Sequence, residues 1–178
     1  RFAINDDTTE CDFWVVFEGL THRQRVKCPR GNTLLVTGEP PVLRRYSPLF
    51  AGQFDRVLTC HDILQHRNKL MSQQCLPWHA GVVRTADGRN MDRIGYSEFK
   101  AMPSSDKPYC LSVICSDLFA TEGHRKRLTF VSRLKEHFGA RLHHFGRGFT
   151  PVEDKWDAIH PFKFHIAIEN CSYPHYFT

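Results

Sequence analysis

Residues 109–145, YCLSVICSDLFATEGHRKRLTFVSRLKEHFGARLHHF, contain the pattern that decides the fold. Residues 109–116 are a nearly continuous run of apolar β-forming side chains, which predicts a buried strand. From about residue 122 to 138 apolar side chains recur at steps of three and four, which predicts an amphipathic helix, and Gly139 follows as its stop signal. A second strand is predicted over residues 140–145. This order of strand, helix and strand is typical of a parallel sheet covered by helices.

The same alternation extends to both sides of this stretch. Downstream, residues 153–159 predict a short helix and residues 163–169 (KFHIAIE) a third strand, which is the beginning of a Rossmann-like half. Upstream, three strands are predicted, over residues 12–18, 33–37 and 56–59. A short helix is predicted over residues 46–54, between the second and third of these strands.

The remaining stretches predict connections. Residues 61–74 are polar and weakly periodic, and residues 85–93 are rich in Gly, Asp and Asn, so both predict loops. Residues 101–108 contain two Pro and two Ser and predict a linker. We therefore expect an α/β protein that forms either one ordinary domain or two small lobes, the second of which would begin at about residue 109.

Composition and charge limit the class of protein. Among 178 residues, 41% are hydrophobic and 24% charged, which is enough apolar surface for a packed core. The net charge of +5 suits a nucleotide diphosphate as well as a nucleic acid. The aromatic side chains lie mainly in buried runs instead of among basic residues, so we expect no nucleic-acid partner. There is no apolar run of spanning length and no signal-peptide core, so membrane association is expected only through a segment outside this sequence.

Cysteine and histidine spacing argue against a metal centre. The seven Cys contain no Cys-x-x-Cys pair, and the eleven His form no metal-binding motif. His143 and His144 would point to opposite faces of a strand. Cys11 and Cys28 flank two predicted strands, but the sequence leaves open whether they form a disulfide, because it does not give their Cα separation. We expect no metal.

Three polar groups follow the three predicted strands of the second lobe. They are Ser116-Asp117, Gly146-Arg147-Gly148 and Glu169-Asn170. Ligands of open α/β sheets bind beyond the carboxyl ends of the strands, so these groups are candidates for a binding site. Glycines beside Arg147 would let a phosphate approach the backbone while the guanidinium pairs with it. The alternative is a plain turn with a solvated arginine.

Two further residues are candidates by position. Arg127 lies in the first turns of the predicted helix, where a bound anion would explain a cation near free N–H groups. The alternative is a surface arginine in a basic run. Glu39 follows a buried strand and precedes two prolines, which gives its carboxylate the fixed position that a general base needs. The alternative is that Glu39 accepts backbone hydrogen bonds in the turn.

Residues 161–178, PFKFHIAIENCSYPHYFT, resemble the signature of glycosyltransferase family 10, the α1,3/α1,4-fucosyltransferases. The departures from that signature are Phe162, Ile168, Cys171 and His175. Further blocks that resemble the family occur in the family's order: residues 35–41 (LVTGEPP), 76–81 (LPWHAG), 112–134 and 144–148 (HFGRG). Both ends of the sequence suggest a fragment, and the resemblance leads us to expect Glu-Lys directly after Thr178.

The resemblance implies a fold, a reaction and a set of roles. The implied fold is two Rossmann-like lobes of GT-B type, an N-terminal acceptor-side lobe over residues 1–107 and the first part of a truncated donor lobe over residues 108–178. The reaction is inverting transfer of fucose from GDP-fucose to a hydroxyl of a glycan acceptor, with no obligatory metal. Glu39 is the implied catalytic base. The implied donor-binding residues are Arg127, Glu169, Asn170, Tyr176, Arg147 and Ser116. The alternative is a non-catalytic nucleotide-sugar or glycan-binding relative, and the cellular compartment stays open.

Overall fold

The computed structural model describes residues 3–4, 8–74, 79–88, 90–169 and 171–176. By their contacts the residues divide into two compact units, Arg1–Leu76 with Cys171–Thr178, and Pro77–Asn170. Each unit contains a parallel sheet, so the chain is mixed α/β and compatible with a Rossmann-like fold. No helix among the described residues is long and apolar enough to cross a membrane.

The first unit is built on four parallel strands. They are β1 (Trp14–Phe17), β2 (Thr33–Val36), β3 (Arg56–Thr59) and β4 (Lys69–Met71), hydrogen-bonded in this order. The first three confirm the strand predictions in this part of the chain. The fourth lies in residues 61–74, where we expected only a loop, and that expectation was wrong. A strand of three residues is too short for its periodicity to be recognised.

The core of the first unit lies on one face of this sheet. Helix α1 (Pro48–Ala51) begins at Ser47, whose hydroxyl accepts a hydrogen bond from the Leu49 N–H at 3.2 Å. Inward side chains of three neighbouring strands pack against this helix and the turn that follows it. The buried apolar residues of the cluster are Val16, Leu35, Tyr46, Ala51, Phe54, Val57 and Leu64.

The second unit begins with an antiparallel hairpin that the sequence analysis did not predict. Its strands are β5 (Val82–Arg84) and β6 (Asn90–Asp92), and helix α2 (Tyr96–Ala101) follows. We expected residues 85–93 to form a loop. Each strand has three residues and β6 is fully exposed, so neither shows the alternation of apolar and polar side chains that marks a half-buried strand.

The buried carboxylate of Asp154 ties this hairpin to the rest of the second unit. Its Oδ1 accepts hydrogen bonds from the N–H groups of Gly81 and Trp156 at 2.7 and 2.8 Å. Its Oδ2 lies 3.1 Å from Arg93 Nε, an ion pair in which the N–H is not aligned on the oxygen. These contacts explain why residues before 108 group with the second unit. The compact units therefore differ from the predicted lobes of residues 1–107 and 108–178.

The main sheet of the second unit has three parallel strands. They are β7 (Tyr109–Ile114), β8 (Leu142–Phe145) and β9 (Phe162–Ile166), with β7 in the centre. Helix α3 (Glu122–Phe138) connects β7 to β8, and its bounds confirm the predicted helix. Thr121 caps its first turn and Gly139 follows its last turn with φ 55°. A short 3₁₀ turn (Lys155–Ala158) precedes β9, where a short helix was predicted.

Candidate functional site

The loop after β2 carries Glu39, and side chains hold its backbone in place. The N–H of Gly38 donates to the Tyr46 hydroxyl at 3.3 Å, and the N–H of Glu39 donates to Glu18 Oε1 at 3.2 Å. The two prolines that follow are buried, and their rings restrict φ. The loop therefore presents Glu39 from a well-determined backbone position.

Glu18, directly after β1, is the central support of this loop. It has φ 60°, which is uncommon for a residue with a side chain, and its N–H donates to the Val36 carbonyl at 2.8 Å. The carboxylate that holds the Glu39 N–H also accepts a hydrogen bond from Arg44 at 3.0 Å. A Cβ on Gly38 would overlap the Glu18 carboxylate. A side chain at position 38 would therefore displace Glu18 from the Glu39 N–H.

His61 supports the loop from the neighbouring strand end. It is 2% exposed, and its Nε2 lies 2.8 Å from the carbonyl oxygen of Glu39. Burial lowers the pKa of His61, although the hydrogen bond to this carbonyl acts in the opposite direction. Because a carbonyl oxygen only accepts, Nε2 carries the proton. His61 is thus a neutral hydrogen-bond donor that packs edge-on against Tyr46.

The carboxylate of Glu39 is half-buried and faces the hydroxyl of Tyr176. The Tyr176 hydroxyl donates to Glu39 Oε2 across a long distance of 3.5 Å, and the tyrosine is 4% exposed. Among the described residues this carboxylate accepts no backbone N–H, so Glu18 and not Glu39 is the acceptor within the turn. A partly accessible carboxylate on a held backbone is suited to accept a proton.

In the second unit, the order of strands creates a switch point at the carboxyl end of β7. The two strands that follow β7 in sequence lie on opposite sides of it. In open α/β sheets this arrangement opens a crevice that binds ligands. Ser116 and Asp117 follow β7 at this point, and the Gly146–Gly148 turn and Glu169 follow the neighbouring strands. The structure thus brings the described strand-end candidates to one edge of the sheet.

Arg127 extends from α3 to this edge. It is half-buried, and its guanidinium lies against the thiol of Cys115 at the end of β7. Burial raises the pKa of Cys115, and the charge of Arg127 and its hydrogen bond lower it in part. The Nε of Arg127 is buried and has no hydrogen-bond partner among the described residues. A guanidinium at this position is suited to pair with an anion, and the alternative of a surface arginine whose stem packs against the protein stays open.

The Gly146-Arg147-Gly148 turn has its own structural reason. Gly146 has φ 129°, and a Cβ there would lie 2.6 Å from the carbonyl oxygen of Cys115. A Cβ on Gly148 would overlap the side chain of Asp117. Both glycines are therefore explained by close packing inside the protein, without the phosphate contact that we expected. Arg147 is largely exposed and lies 3.7 Å from Asp117 Oδ1.

Glu169 is the last described candidate at this edge. It is half-buried, three residues beyond the end of β9. Burial lowers the pKa of Lys155, and the charge of Glu169 opposes this shift. The carboxylate therefore lies near a cationic side chain of the same unit. Asn170, its neighbour in the sequence, lies outside the described residues.

Sequence reasoning missed the three side chains that hold the Glu39 loop. Glu18 and His61 follow β1 and β3 in the way that the Glu39 loop follows β2. Because the carboxyl ends of parallel strands meet at one edge of a sheet, the positions of Glu18 and His61 at or just after the ends of predicted strands are a signal that places them near Glu39. Tyr46 carried no comparable signal.

Among the described residues, no group of three or more His, Cys, Asp or Glu is arranged to hold a metal ion. The expectation of a reaction without an obligatory metal stays a prediction. Comparisons of the chain with protein-family models, with curated proteins and with solved structures found no match.

Proposed function

We propose that the chain is part of an inverting glycosyltransferase that transfers fucose from GDP-fucose to a hydroxyl of a glycan acceptor. The observation that carries the proposal is the contact between Glu39 and Tyr176. Each residue lies in a segment that resembles the fucosyltransferase family, residues 35–41 and 161–178 respectively. Their side chains meet at 3.5 Å, although they are 137 positions apart. Two resembling segments that converge on one carboxylate support a shared site.

In the proposed reaction Glu39 is the general base. Its carboxylate takes the proton of the acceptor hydroxyl, and the acceptor oxygen attacks C1 of fucose. The bond from C1 to the diphosphate oxygen breaks, and its electron pair leaves with GDP, so the anomeric configuration inverts. Glu18 and His61 act as positioning residues, because they hold the backbone from which Glu39 extends.

The proposal assigns the nucleotide sugar to the carboxyl end of β7. The position of the Arg127 guanidinium beside Cys115, at the end of β7, supports a diphosphate site there, since charge develops on the diphosphate as GDP leaves. This positive charge replaces the role that a metal plays in other transferases. Ser116, Arg147, Glu169 and Asn170 complete the proposed pocket. In this proposal the sheet of β1–β4 belongs to the acceptor lobe and the sheet of β7–β9 to the donor lobe of a GT-B architecture. Tyr176, which the resemblance assigns to the donor, belongs by its contacts to the unit that contains Glu39.

A second candidate is a non-catalytic relative that binds a nucleotide sugar or a glycan. The observation that favours it is the ion pair between Arg147 and Asp117, in a turn whose glycines are explained by packing. This exposed pair gives Arg147 a partner other than a diphosphate. Such a relative would bind a glycan or GDP-fucose without transferring fucose.

Calorimetric titration of the intact protein with GDP-fucose, combined with a fucose-transfer assay on glycan acceptors, tests the proposal. We expect Arg127→Ala to weaken binding at least tenfold, since it removes a charge-assisted contact worth about 1.5–3 kcal/mol. Arg133→Ala, at an exposed position of the same helix, is the matched control. Glu39→Gln should keep binding and lose transfer. Binding of GDP-fucose without transfer in the unsubstituted protein would favour the second candidate, and no affinity for GDP-fucose or GDP would contradict the proposed transferase.

A further inference from the structure

Cys11 and Cys28 lie side by side just before the first two strands of the sheet. The Lys27 N–H donates to the Thr9 carbonyl at 2.8 Å, and the Cys11 N–H donates to the Lys27 carbonyl at 3.0 Å. These bonds form a parallel bridge in which Glu10 is the partner of Lys27. One residue further along, the same register places Cys11 opposite Cys28.

The two thiols also meet. Sγ of Cys28 lies 3.7 Å from the carbonyl oxygen of Asp12, the residue after Cys11. Burial raises the pKa of the Cys11 thiol, and a hydrogen bond with the Cys28 thiol raises it further. Both cysteines are free and half-buried, so a small reagent can reach them. By contrast, Cys60 and Cys115 are fully buried.

We propose that Cys11 and Cys28 form an intramolecular disulfide when the protein meets a low-molecular-weight disulfide such as oxidised glutathione. The separation fits, because neighbouring strands lie about 4.8 Å apart and disulfides join Cα atoms at about 4.4–6.8 Å. This proposal does not depend on the proposed function.

The reaction is a pair of thiol–disulfide exchanges. The thiolate of one cysteine attacks a sulfur of oxidised glutathione and releases one glutathione thiolate. The thiolate of the second cysteine then attacks the protein sulfur of this mixed disulfide and releases the second glutathione. The protein loses two thiol protons and two electrons, and oxidised glutathione is reduced to two glutathione molecules.

The bridge would close the loop that contains β1 and Glu18. Cross-linking residues 11 and 28 restricts the unfolded chain more than the folded one, because the bridge between Glu10 and Lys27 already holds the adjoining cysteines close together in the folded chain. We therefore expect oxidation to stabilise the first unit. It would also secure the strand from which Glu18 supports the neighbouring loop.

Peptide mapping of the intact chain after equilibration with glutathione redox buffers tests the inference. Free thiols are trapped with a maleimide, and linked peptides are identified by mass spectrometry without reduction. We expect one peptide pair joined through Cys11 and Cys28, a mass lower by two hydrogens, and a thermal midpoint higher by about 5–10 °C. Cys11→Ser and Cys28→Ser should each abolish the link and leave the remaining thiol as a glutathione adduct. Cys110→Ser should leave it intact.

Two results would overturn the inference. One is that both thiols in the unsubstituted chain stay maleimide-reactive, or carry separate glutathione adducts, in buffers that fully oxidise a small dithiol peptide. The other is that either cysteine links to a different partner. The mapping of the unsubstituted chain decides both cases, even where a serine variant folds poorly. Exchange should be slow at neutral pH and accelerate in alkaline buffer, since the thiolate is the attacking species.

Discussion

Tyr176 and Glu39 are 137 positions apart in the sequence, and the phenol oxygen of Tyr176 lies 3.5 Å from Oε2 of Glu39. Tyr176 is buried, so its ring has little freedom, and its hydroxyl gives the half-buried carboxylate a preferred orientation. The side chains of Glu18 and His61 hydrogen-bond to the backbone of Glu39 and so hold the same loop. Glu39 is therefore constrained both through its backbone and at its carboxylate.

Removing the carboxylate should separate transfer from binding. We expect Glu39→Gln to lower the rate of fucose transfer by about 10²–10⁴, because a glutamine cannot take the acceptor proton. Tyr176→Phe should lower it by about tenfold, since the base remains but loses its orienting donor. Glu136→Gln on the exposed surface of α3 is the control. Equal transfer rates in Glu39→Gln and the control would show that Glu39 is not the base.

Stability should fall in mild acid. Burial lowers the pKa of the imidazole below its ordinary value of 6.5 at five positions, His61, His79, His124, His144 and His165. The unfolded chain then binds more protons than the folded chain below about pH 6.5. The contribution of these histidines to the free energy of unfolding is therefore fully present above this pH. It is expected to be lost as the pH falls below it.

Urea unfolding between pH 7.5 and about pH 5 measures this effect, in a range where exposed carboxylates stay charged. His61→Gln keeps an N–H donor for the Glu39 carbonyl and does not titrate. We expect a shallower loss of stability in this variant than in the unsubstituted protein. An unchanged pH profile would mean that His61 does not contribute to the effect.

The carboxylate of Asp154 should be a major source of stability in the second unit. Asp154→Ala leaves the N–H groups of Gly81 and Trp156 without their acceptor, and we expect a loss of about 3 kcal/mol in the free energy of unfolding. Asp157→Ala removes a half-exposed partner of Arg93 and should cost less than about 1 kcal/mol. Hydrogen exchange should show β5 and β6 opening first in Asp154→Ala. Similar losses in both variants would contradict the assignment.

Two glycines allow steric overlap to be separated from backbone conformation. Gly146 and Gly139 both have positive φ, but a Cβ meets the Cys115 carbonyl at Gly146 and nothing within 4 Å at Gly139. We expect Gly146→Ala to cost about 3 kcal/mol and Gly139→Ala about 1 kcal/mol. Chemical denaturation of both variants measures the difference. If the costs were equal, backbone conformation alone would explain the requirement for glycine at 146.

Much of the second sheet could be predicted because its signals are local. Helix α3 has 17 residues, a Thr cap at its start and Gly139 at its end, so periodicity and caps agree on its bounds. The position of Glu39 after a strand and that of Arg127 in the second turn of α3 followed from the same patterns. The short strands β4, β5 and β6 could not be predicted, since three residues are too few to show a period.

The sequence by itself therefore determined the α/β class, the strand–helix–strand order and the placement of Glu39 after a buried strand. These depend on side chains within a few positions of each other. Only the tertiary structure decided that Glu18, not Glu39, accepts the turn N–H, that β7 lies between β8 and β9, and that Asp154 holds the hairpin. The physical reason is that buried N–H groups and carboxylates must find partners wherever chain closure brings them, and those partners are distant in sequence.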